Sequence, residues 1–424
     1  MRLLLLNCGP VATLSEGDVN LPLIGEEMSD IESQTIDGNN GILMSADSIE
    51  KISQSEELSH EYGFEDSQSL QIFDCKGKAI IPGFVDSHTH LLWDGDRANE
   101  MQLRHSGLSY SEIAKSGGGI QKTVQLTRSA SFDRLTNLGL KRIERAFSHG
   151  TTTMECKSGY GLSLESEIRL LQSTQFLSET TPMEIHSTWL GAHDVPKDIG
   201  IDDYVDLLIH EQLPAVVEQG IASYADVFCE PGWFSLEHTE SIVNAAKDFG
   251  LPARIHVDEF VDGGGLQLAS ELGVVSGDHV GHSSDTARHE ASEAGVMQTF
   301  LPGTPYILGH DLESPLTKCV ENDWAFSLAT DFNPNCRTLS IPFVGSLATH
   351  RLGLSPLEAL ASVTRNPAST LTKSVNGKLP GSIREGGPAD ILILDSEYIE
   401  SWCQMPGDNP IFKTVKSGRF VNRQ

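Results

Sequence analysis

Short apolar segments alternate with longer amphipathic segments over most of the chain, beginning at Pro82. This alternation is typical of consecutive βα units, in which each strand is followed by a helix. It predicts strands at 84–86, 151–155, 184–190, 226–229, 253–257, 274–278, 297–301 and 325–329. It predicts helices that include 131–148, 163–177, 235–249 and 356–364. Eight strands with intervening helices indicate an α/β fold of the (β/α)8 TIM-barrel type.

Both ends of the chain have a different pattern, with short strands broken by turns. The predicted strands are 3–6, 41–44, 69–73 and 79–81 at one end, and 390–393, 412–416 and 419–421 at the other. We expect them to form one small composite β-sandwich domain, residues 1–81 and 367–424, beside a barrel of residues 82–366. The apolar run at 3–6 is too short for a signal peptide and lacks a cleavage pattern, so we interpret it as the first strand.

Composition excludes several classes of protein. Apolar residues make up 39% and charged residues 21%, an ordinary globular balance that argues against a disordered chain. Thirty Lys and Arg against 59 Asp and Glu give a net charge of −29, which disfavours nucleic acid and anionic membranes as partners. No apolar run reaches the roughly 18 residues that a membrane span needs. Seven scattered cysteines without a CxxC pair favour a reducing cytoplasm.

The first predicted barrel strand ends in His88-Thr89-His90. Residues two apart on an extended backbone face the same way, so both imidazoles point to one spot. In barrel enzymes the carboxyl ends of the strands carry the active site. Two imidazoles at this position indicate a metal site that suits zinc or ferrous iron.

Further candidate ligands follow other predicted strands. His256 lies on the strand predicted at 253–257, and Asp331 follows the strand at 325–329. Their spacing fits strands five and eight of the barrel, and His279 then marks strand six. Glu259 follows His256 by three residues and is within reach of the same site, whereas Asp258 and Asp262 are expected at the surface.

This pattern resembles the amidohydrolase superfamily, which shares the HxH on strand one, later single histidines and a final aspartate. Within it, four segments resemble the imidazolonepropionase family of histidine degradation. They are Asp96-Arg97-Ala98-Asn99-Glu100, Ser116-Gly117-Gly118-Gly119-Ile120, Glu155-Cys156-Lys157-Ser158-Gly159-Tyr160-Gly161-Leu162 and Leu190-Gly191-Ala192-His193. The resemblance covers about residues 81–367, and its most specific motif is the one around Tyr160.

The resemblance implies one catalytic metal per chain, Zn²⁺ or Fe²⁺/³⁺, held by His88, His90, His256 and Asp331. It implies that substrate is bound by residues of the barrel loops, namely Arg97, Tyr160, His193, Glu259 and, after Asp331, Asn333, Asn335 and Cys336. One departure stands out. Many relatives have glycine where this chain has Asn335, which puts the backbone contacts of that residue in doubt.

The implied reaction is hydrolysis of 4-imidazolone-5-propanoate, a cyclic amide with an anionic tail, to N-formimidoyl-L-glutamate. Arg97 would grip the carboxylate as a fork. Asp331 and Glu259 would move protons and His279 would stabilise the oxyanion. The partner is thus a small anionic molecule, and a homodimer is common for such barrels. The alternatives are a cytosine- or guanine-type deaminase and a metal-free scaffold of the same fold.

Overall fold

The computed structural model describes residues 2–46, 48–66, 68–108, 112–113, 116–312, 314–372 and 377–421. Its centre is an eight-stranded parallel sheet whose strands follow one another in chain order. These strands are β8 (Phe84–Asp86), β9 (Thr151–Lys157), β10 (Glu184–Ala192), β11 (Tyr224–Cys229), β12 (Ala253–Val257), β13 (Ser276–His279), β14 (Met297–Phe300) and β15 (Phe326–Leu328). The sheet closes just past its first and last strands, where Thr89 and Phe332 form a parallel bridge.

Helices fill the connections between these strands, and further helices precede the first barrel strand and follow the last one. Along the chain, the described helices are α1 (Ile31–Gln34), α2 (Ser55–Tyr62), α3 (Glu100–His105), α4 (Gly119–Ser129), α5 (Phe132–Ser148), α6 (Leu164–Thr180), α7 (Ile201–Leu207), α8 (Leu213–Gln219), α9 (Leu236–Asp248), α10 (Gly265–Leu272), α11 (Asp285–Glu293), α12 (Gly303–Leu308), α13 (Leu316–Glu321), α14 (Ile341–His350), α15 (Pro356–Ser362) and α16 (Arg365–Ala368). A π-helical turn, Leu208–Gln212, joins α7 to α8, and short 3-10 helices lie at Gly25–Met28 and Ile399–Trp402. None of the described helices is both long and apolar enough to cross a membrane.

Helix α5 illustrates why these segments are helical. The Ser131 side chain accepts a hydrogen bond from the backbone N–H of Arg134, which satisfies one of the unpaired donors at the helix start. Leu135, Ile143 and Phe147 recur at helical spacing and are buried, so one face of the helix packs into the protein.

Two further sheets are built from the chain ends. Their strands are β1 (Arg2–Cys8), β2 (Val11–Ala12), β3 (Thr35–Ile36), β4 (Asn40–Met44), β5 (Ile49–Gln54), β6 (Leu70–Asp74), β7 (Ile80–Pro82), β16 (Ile391–Leu394), β17 (Ile411–Lys416) and β18 (Arg419–Phe420). One sheet has the order β5-β4-β1-β6, and the other has the order β18-β17-β16-β7-β2-β3 and so unites both termini. Leu5 and Met44 of the first sheet share a core with Ile80, Ile391 and Val415 of the second.

The barrel predicted from the sequence is confirmed, and so are extra sheets formed from the chain ends. The exact domain bounds, 1–81 with 367–424 and 82–366, stay a prediction. Three strands continue past their predicted ends on the side that bears the site: β9 to Lys157, β10 to Ala192 and β13 to His279. Strands β14 and β15 each end one residue earlier than predicted. Lys157 and His279 are polar and buried, which is why an apolar pattern did not include them.

Candidate active site

Three histidines meet at the carboxyl end of the barrel. His88 and His90 follow β8, and His256 lies near the end of β12, the fifth barrel strand. One ring nitrogen from each lies within 4.8 Å of the others, and all three residues are buried. This arrangement is a cluster that could hold a metal ion.

Two carboxylates orient two of these rings. His88 donates from Nδ1 to Asp278 at 2.7 Å, and His256 donates from Nδ1 to Asp226 at 3.0 Å. The opposite nitrogen, Nε2, of each ring is buried without a hydrogen-bond partner among the residues that the structure describes. A metal-binding histidine characteristically gives its other nitrogen to a carboxylate in this way.

Asp331 adds an oxygen donor to the same place. One of its carboxylate oxygens, Oδ1, lies 3.6 Å from Nε2 of His88 and 3.7 Å from Nε2 of His90. The other oxygen accepts a hydrogen bond from the Thr304 hydroxyl. Burial raises the pKa of Asp331, and the hydrogen bonds from Thr304 and Asn333 oppose that rise.

The chemistry of this donor set fits a metal ion. Burial lowers the pKa of His88 and of His90 well below the ordinary range, so both imidazoles are neutral and can offer a lone pair. Three imidazole nitrogens with one carboxylate oxygen suit zinc or iron. The two unpartnered Nε2 atoms show where such an ion would satisfy buried polar groups.

A cavity that is open to solvent lies next to the histidine cluster. Its wall contains nearly all of the predicted site residues together with several aromatic side chains: His90, Arg97, Ile120, Tyr160, His193, Phe228, Trp233, His256, Glu259, Phe260, His279, Thr304, Leu308, Asp331, Asn333 and Asn335. Arg97 is the one Lys or Arg among these described lining residues, so the positive charge of the wall is concentrated at one point.

Arg97 is held in place by a neighbouring acid. Its Nε donates to both carboxylate oxygens of Glu100 at 3.0 Å, and Nη2 donates at 2.8 Å. Both side chains are buried, and Glu100 also accepts the backbone N–H of Gly119 at the start of α4. The guanidinium therefore lines the cavity in a fixed orientation, as a specific anion contact requires.

Tyr160 and His193 come together on the same side of the cavity. Their rings meet edge to face with centroids 5.0 Å apart, and the His193 ring stacks on His90 at 5.1 Å. His193 donates from Nδ1 to the carbonyl of Gly159 at 2.9 Å. Gly159 has φ +97°, and a Cβ there would lie 2.9 Å from His193, so this close approach needs glycine.

The loop that carries Tyr160 is held in place by hydrogen bonds to Glu167. This buried carboxylate accepts backbone N–H groups from Gly159, Gly161 and Leu162 at 2.7–3.0 Å. Arg128 binds the carbonyls of Gly161 and Leu162 from the other side. The glycine-rich segment is thereby a rigid element of the wall.

Glu259 and His279 are neighbours in the cavity wall, with Oε2 of Glu259 3.6 Å from Nε2 of His279. Burial, together with the charges of Asp331 and Glu230, raises the pKa of Glu259 well above its usual range. Glu230, at the end of β11, accepts the backbone N–H of Glu259 and so positions it. Burial lowers the pKa of His279, so its ring is neutral.

The prediction that Asp258 lies at the surface is wrong. Its side chain is 1% exposed and accepts hydrogen bonds from the N–H groups of Gly263, Gly265 and Leu266 and from the Ser283 hydroxyl. Asp258 also has φ +52°, in the left-handed region that Asp adopts more readily than most residues with a side chain. It ties the loop that bears Glu259 to the following helix.

Polar groups of the turn after Asp331 form hydrogen bonds within the turn. The Asn333 side chain donates to the Asp331 carbonyl and accepts the N–H groups of Asn335 and Cys336. Cys336 is buried with its thiol 3.5 Å from the Thr330 carbonyl, and it does not line the cavity. Asn335 lines the cavity and accepts a hydrogen bond from Arg104 at 3.3 Å, without a left-handed backbone. The substrate roles of these three residues stay predictions.

The buried charged residues that support the site were not among the predicted site residues. Asp226 and Asp278 lie inside strands, Glu155 and Lys157 lie in β9, and Glu167 and Glu230 lie in the adjoining segments. A charged residue within an otherwise apolar strand is a usable signal, because such a residue is almost never fully buried without a partner.

The chain belongs to the amidohydrolase family, whose model matches residues 79–421. Its barrel and histidine cluster thereby define it as a hydrolase of the class that generally binds a metal. Within that class the chain belongs with the imidazolonepropionases. It is 39% identical to the imidazolonepropionase of Symbiobacterium thermophilum over 99% of this chain and 97% of the relative. It is 37% identical to that of Parabacteroides distasonis over 93% and 94%.

Solved structures that resemble the chain share its fold. Guanine deaminase of E. coli has a TM-score of 0.69 at 16% identity, with 100% of this chain and 99% of that one covered. The 5-methylcytosine deaminase of Klebsiella pneumoniae has a TM-score of 0.69 at 14% identity, with 100% and 98% covered. At these identities the likeness concerns the architecture alone.

Proposed function

We propose that the chain hydrolyses 4-imidazolone-5-propanoate to N-formimidoyl-L-glutamate, the imidazolonepropionase reaction of histidine degradation. The observation that carries the proposal is that one cavity presents both a buried arginine and the histidine cluster. The whole-chain similarity to imidazolonepropionases supports the same assignment.

One metal ion per chain, zinc or iron, would be held by His88, His90, His256 and Asp331. When bound, such an ion supplies Lewis acidity and lowers the pKa of water. The residues around it have separate tasks. Asp226 and Asp278 keep His256 and His88 in the tautomer that leaves Nε2 as the donor atom.

Substrate would be held between Arg97 and the aromatic wall. Glu100 fixes the guanidinium, so it can meet the propionate without reorganising. Tyr160 and His193 would contact the ring, and Asn333 and Asn335 would border it. Cys336 would contribute through its backbone, since its thiol lies away from the cavity.

Proton transfers would be divided between the two carboxylates. Asp331, beside the histidine cluster, would accept a proton from the attacking water. The neutral His279 would donate a hydrogen bond to the developing oxyanion. The raised pKa of Glu259 favours its protonated form, so it would hand a proton to the leaving ring nitrogen.

A deaminase of the same fold is the second candidate, and its support is the architecture shared with guanine and cytosine deaminases. Such an enzyme needs no grip on a carboxylate, whereas this cavity contains a fixed arginine. A metal-free scaffold of this fold has no need for the two unpartnered, carboxylate-oriented imidazoles.

Product analysis tests the assignment. Wild-type protein of measured metal content is incubated with 4-imidazolone-5-propanoate, and the products are sampled early. We expect N-formimidoyl-L-glutamate without stoichiometric ammonia, because ring opening leaves both nitrogens attached. Glu259→Gln serves as the matched variant and should bind substrate but turn over slowly. Stoichiometric ammonia from a purine or pyrimidine, with its ring intact, would overturn the proposal in favour of a deaminase.

We also propose that the protein is cytoplasmic and forms a homodimer. A reducing cytoplasm is supported by seven scattered cysteines without a paired motif. A homodimer is the assembly we expect, and light scattering of the purified chain measures it directly.

A further inference from the structure

Lys157 has a side chain that is fully buried inside the barrel, at the end of β9. Its Nζ lies 2.9 Å from Glu155, 2.7 Å from Asp226 and 3.5 Å from Asp278. All three acids are also fully buried. Although burial disfavours the ammonium, the carboxylates of Asp226, Glu155 and Asp278 together raise the pKa of Lys157, so it is charged.

Each of these carboxylates supports a different part of the histidine cluster. Asp226 accepts from His256, and Asp278 accepts from His88. Glu155 accepts the backbone N–H of Thr89, the residue between His88 and His90, at 3.2 Å.

The backbone reinforces the same connection. The N–H of Lys157 donates to the Thr89 carbonyl at 2.9 Å, and the Thr89 hydroxyl donates to the Glu155 carbonyl at 2.6 Å. Lys157 therefore contacts the carboxylates that hold His88 and His256 and the carboxylate that holds the backbone between His88 and His90.

We infer that Lys157 is a positioning residue whose buried ammonium fixes the carboxylates behind the histidine cluster and thereby sets the affinity of the cluster for a divalent metal. The inference rests on the proposed metal site. Arg254, another buried cation nearby, does not duplicate this role, because its guanidinium binds Ser276 and Thr370.

Removing the ammonium should act on the metal through these carboxylates. Without it, three buried carboxylates would repel one another, and an Asp226 or Asp278 side chain that rotates away no longer holds its imidazole. Changes behind metal ligands typically cost about 10–100-fold in metal affinity.

The experiment uses the full chain and needs no turnover. Metal-free wild type and Lys157→Met are titrated with Zn²⁺ against a chromophoric chelator, and each is also loaded with Co²⁺ to record its visible absorption. We expect zinc to bind Lys157→Met about 10–100-fold more weakly and the Co²⁺ bands to shift. Lys157→Gln, which keeps an N–H donor, provides the same comparison if Lys157→Met does not fold.

Lys416 offers a matched control. It is also a buried lysine between two acids, with Nζ 2.7 Å from Asp390 and 3.5 Å from Glu184, but it belongs to the terminal sheet. Lys416→Met should lower thermal stability by a similar amount while zinc affinity and the Co²⁺ spectrum stay at wild-type values. Equal zinc affinity in Lys157→Met and wild type would overturn the inference.

A double variant separates positioning from simple charge balance. Lys157→Met with Glu155→Gln restores the wild-type net charge of the buried group but not the contacts of Nζ with Asp226 and Asp278. We expect thermal stability to recover and zinc affinity to remain low, whereas full recovery of zinc affinity would overturn positioning by contact. Failure of wild type itself to bind zinc, iron or cobalt would instead refute the proposed metal site.

Discussion

The core between the two terminal sheets and the barrel interior behind the histidine cluster are both closed to water. The terminal core contains Ile391 and Val415, and the barrel interior contains Lys157, Asp226 and Asp278. All five residues are 0% exposed. Apolar burial is non-directional and tolerates changes that keep volume and pattern. Buried charges stabilise only when each has its particular partners in place.

The difference indicates which interior determines what the protein binds. The terminal core repeats one kind of contact, so loss of a methyl group should lower stability and little else. The barrel interior links carboxylates, an ammonium and imidazoles in series, so loss of one group changes what its neighbours can bind. Left-handed backbone at Asp258, His279 and Asp331 lies at this end of the barrel as well.

The largest expected effect comes from His256→Ala, which removes one imidazole of the histidine cluster and the partner of Asp226. We expect loss of bound metal and a decrease of more than about 100-fold in kcat/KM, beyond the usual cost of changes behind a ligand. Metal analysis and steady-state kinetics measure both. His289→Ala, at an exposed position of α11, is the control. Stoichiometric metal and full activity in His256→Ala would show that the ligand set is wrong.

Arg97→Lys sharpens the comparison by keeping the charge and removing the planar fork. A hydrogen bond to a charged group contributes about 1.5–3 kcal/mol, so we expect kcat/KM to fall about 10–100-fold, mainly through KM, with metal content unchanged. A substrate analogue without the propionate is the control, since wild type and variant should hydrolyse it alike. An unchanged kcat/KM on the full substrate would remove Arg97 from the site.

Ile391→Val tests the apolar side of the comparison. Deleting one methylene-sized group from a core typically costs about 0.5–1.5 kcal/mol in the free energy of unfolding, which chemical denaturation measures. Because Ile391 lies in the terminal core, kcat/KM and zinc affinity should stay within about twofold of wild type. A large loss of activity in this variant would mean that the two interiors are coupled.

The same contrast explains what could be predicted from the sequence. Apolar periodicity located all eight barrel strands, and the residues at their ends, such as His88, His256 and Asp331, led to the histidine cluster. Asp226 and Asp278 were not identified, and Asp258 was expected at the surface. The roles of Asp226 and Asp278 depend on which strands the barrel brings together, as when Asp226 of β11 reaches His256 of β12, and period alone does not report such contacts.

Asn335→Gly has the smallest expected effect on stability, and it addresses the residue that departs from the common pattern. Asn335 has no left-handed backbone here, so a side chain at this position costs no strain, and glycine would add flexibility worth about 0.5–1 kcal/mol in stability. The side chain accepts one long hydrogen bond, 3.3 Å from Arg104, and losing it should change kcat/KM by less than about fivefold.

Arg104→Gln removes the same contact, so the double variant should behave like either single variant. If Asn335→Gly instead changes KM more than about tenfold while Arg104→Gln does not, the amide of Asn335 contacts substrate directly, and this position belongs with Arg97 among the residues that select the substrate.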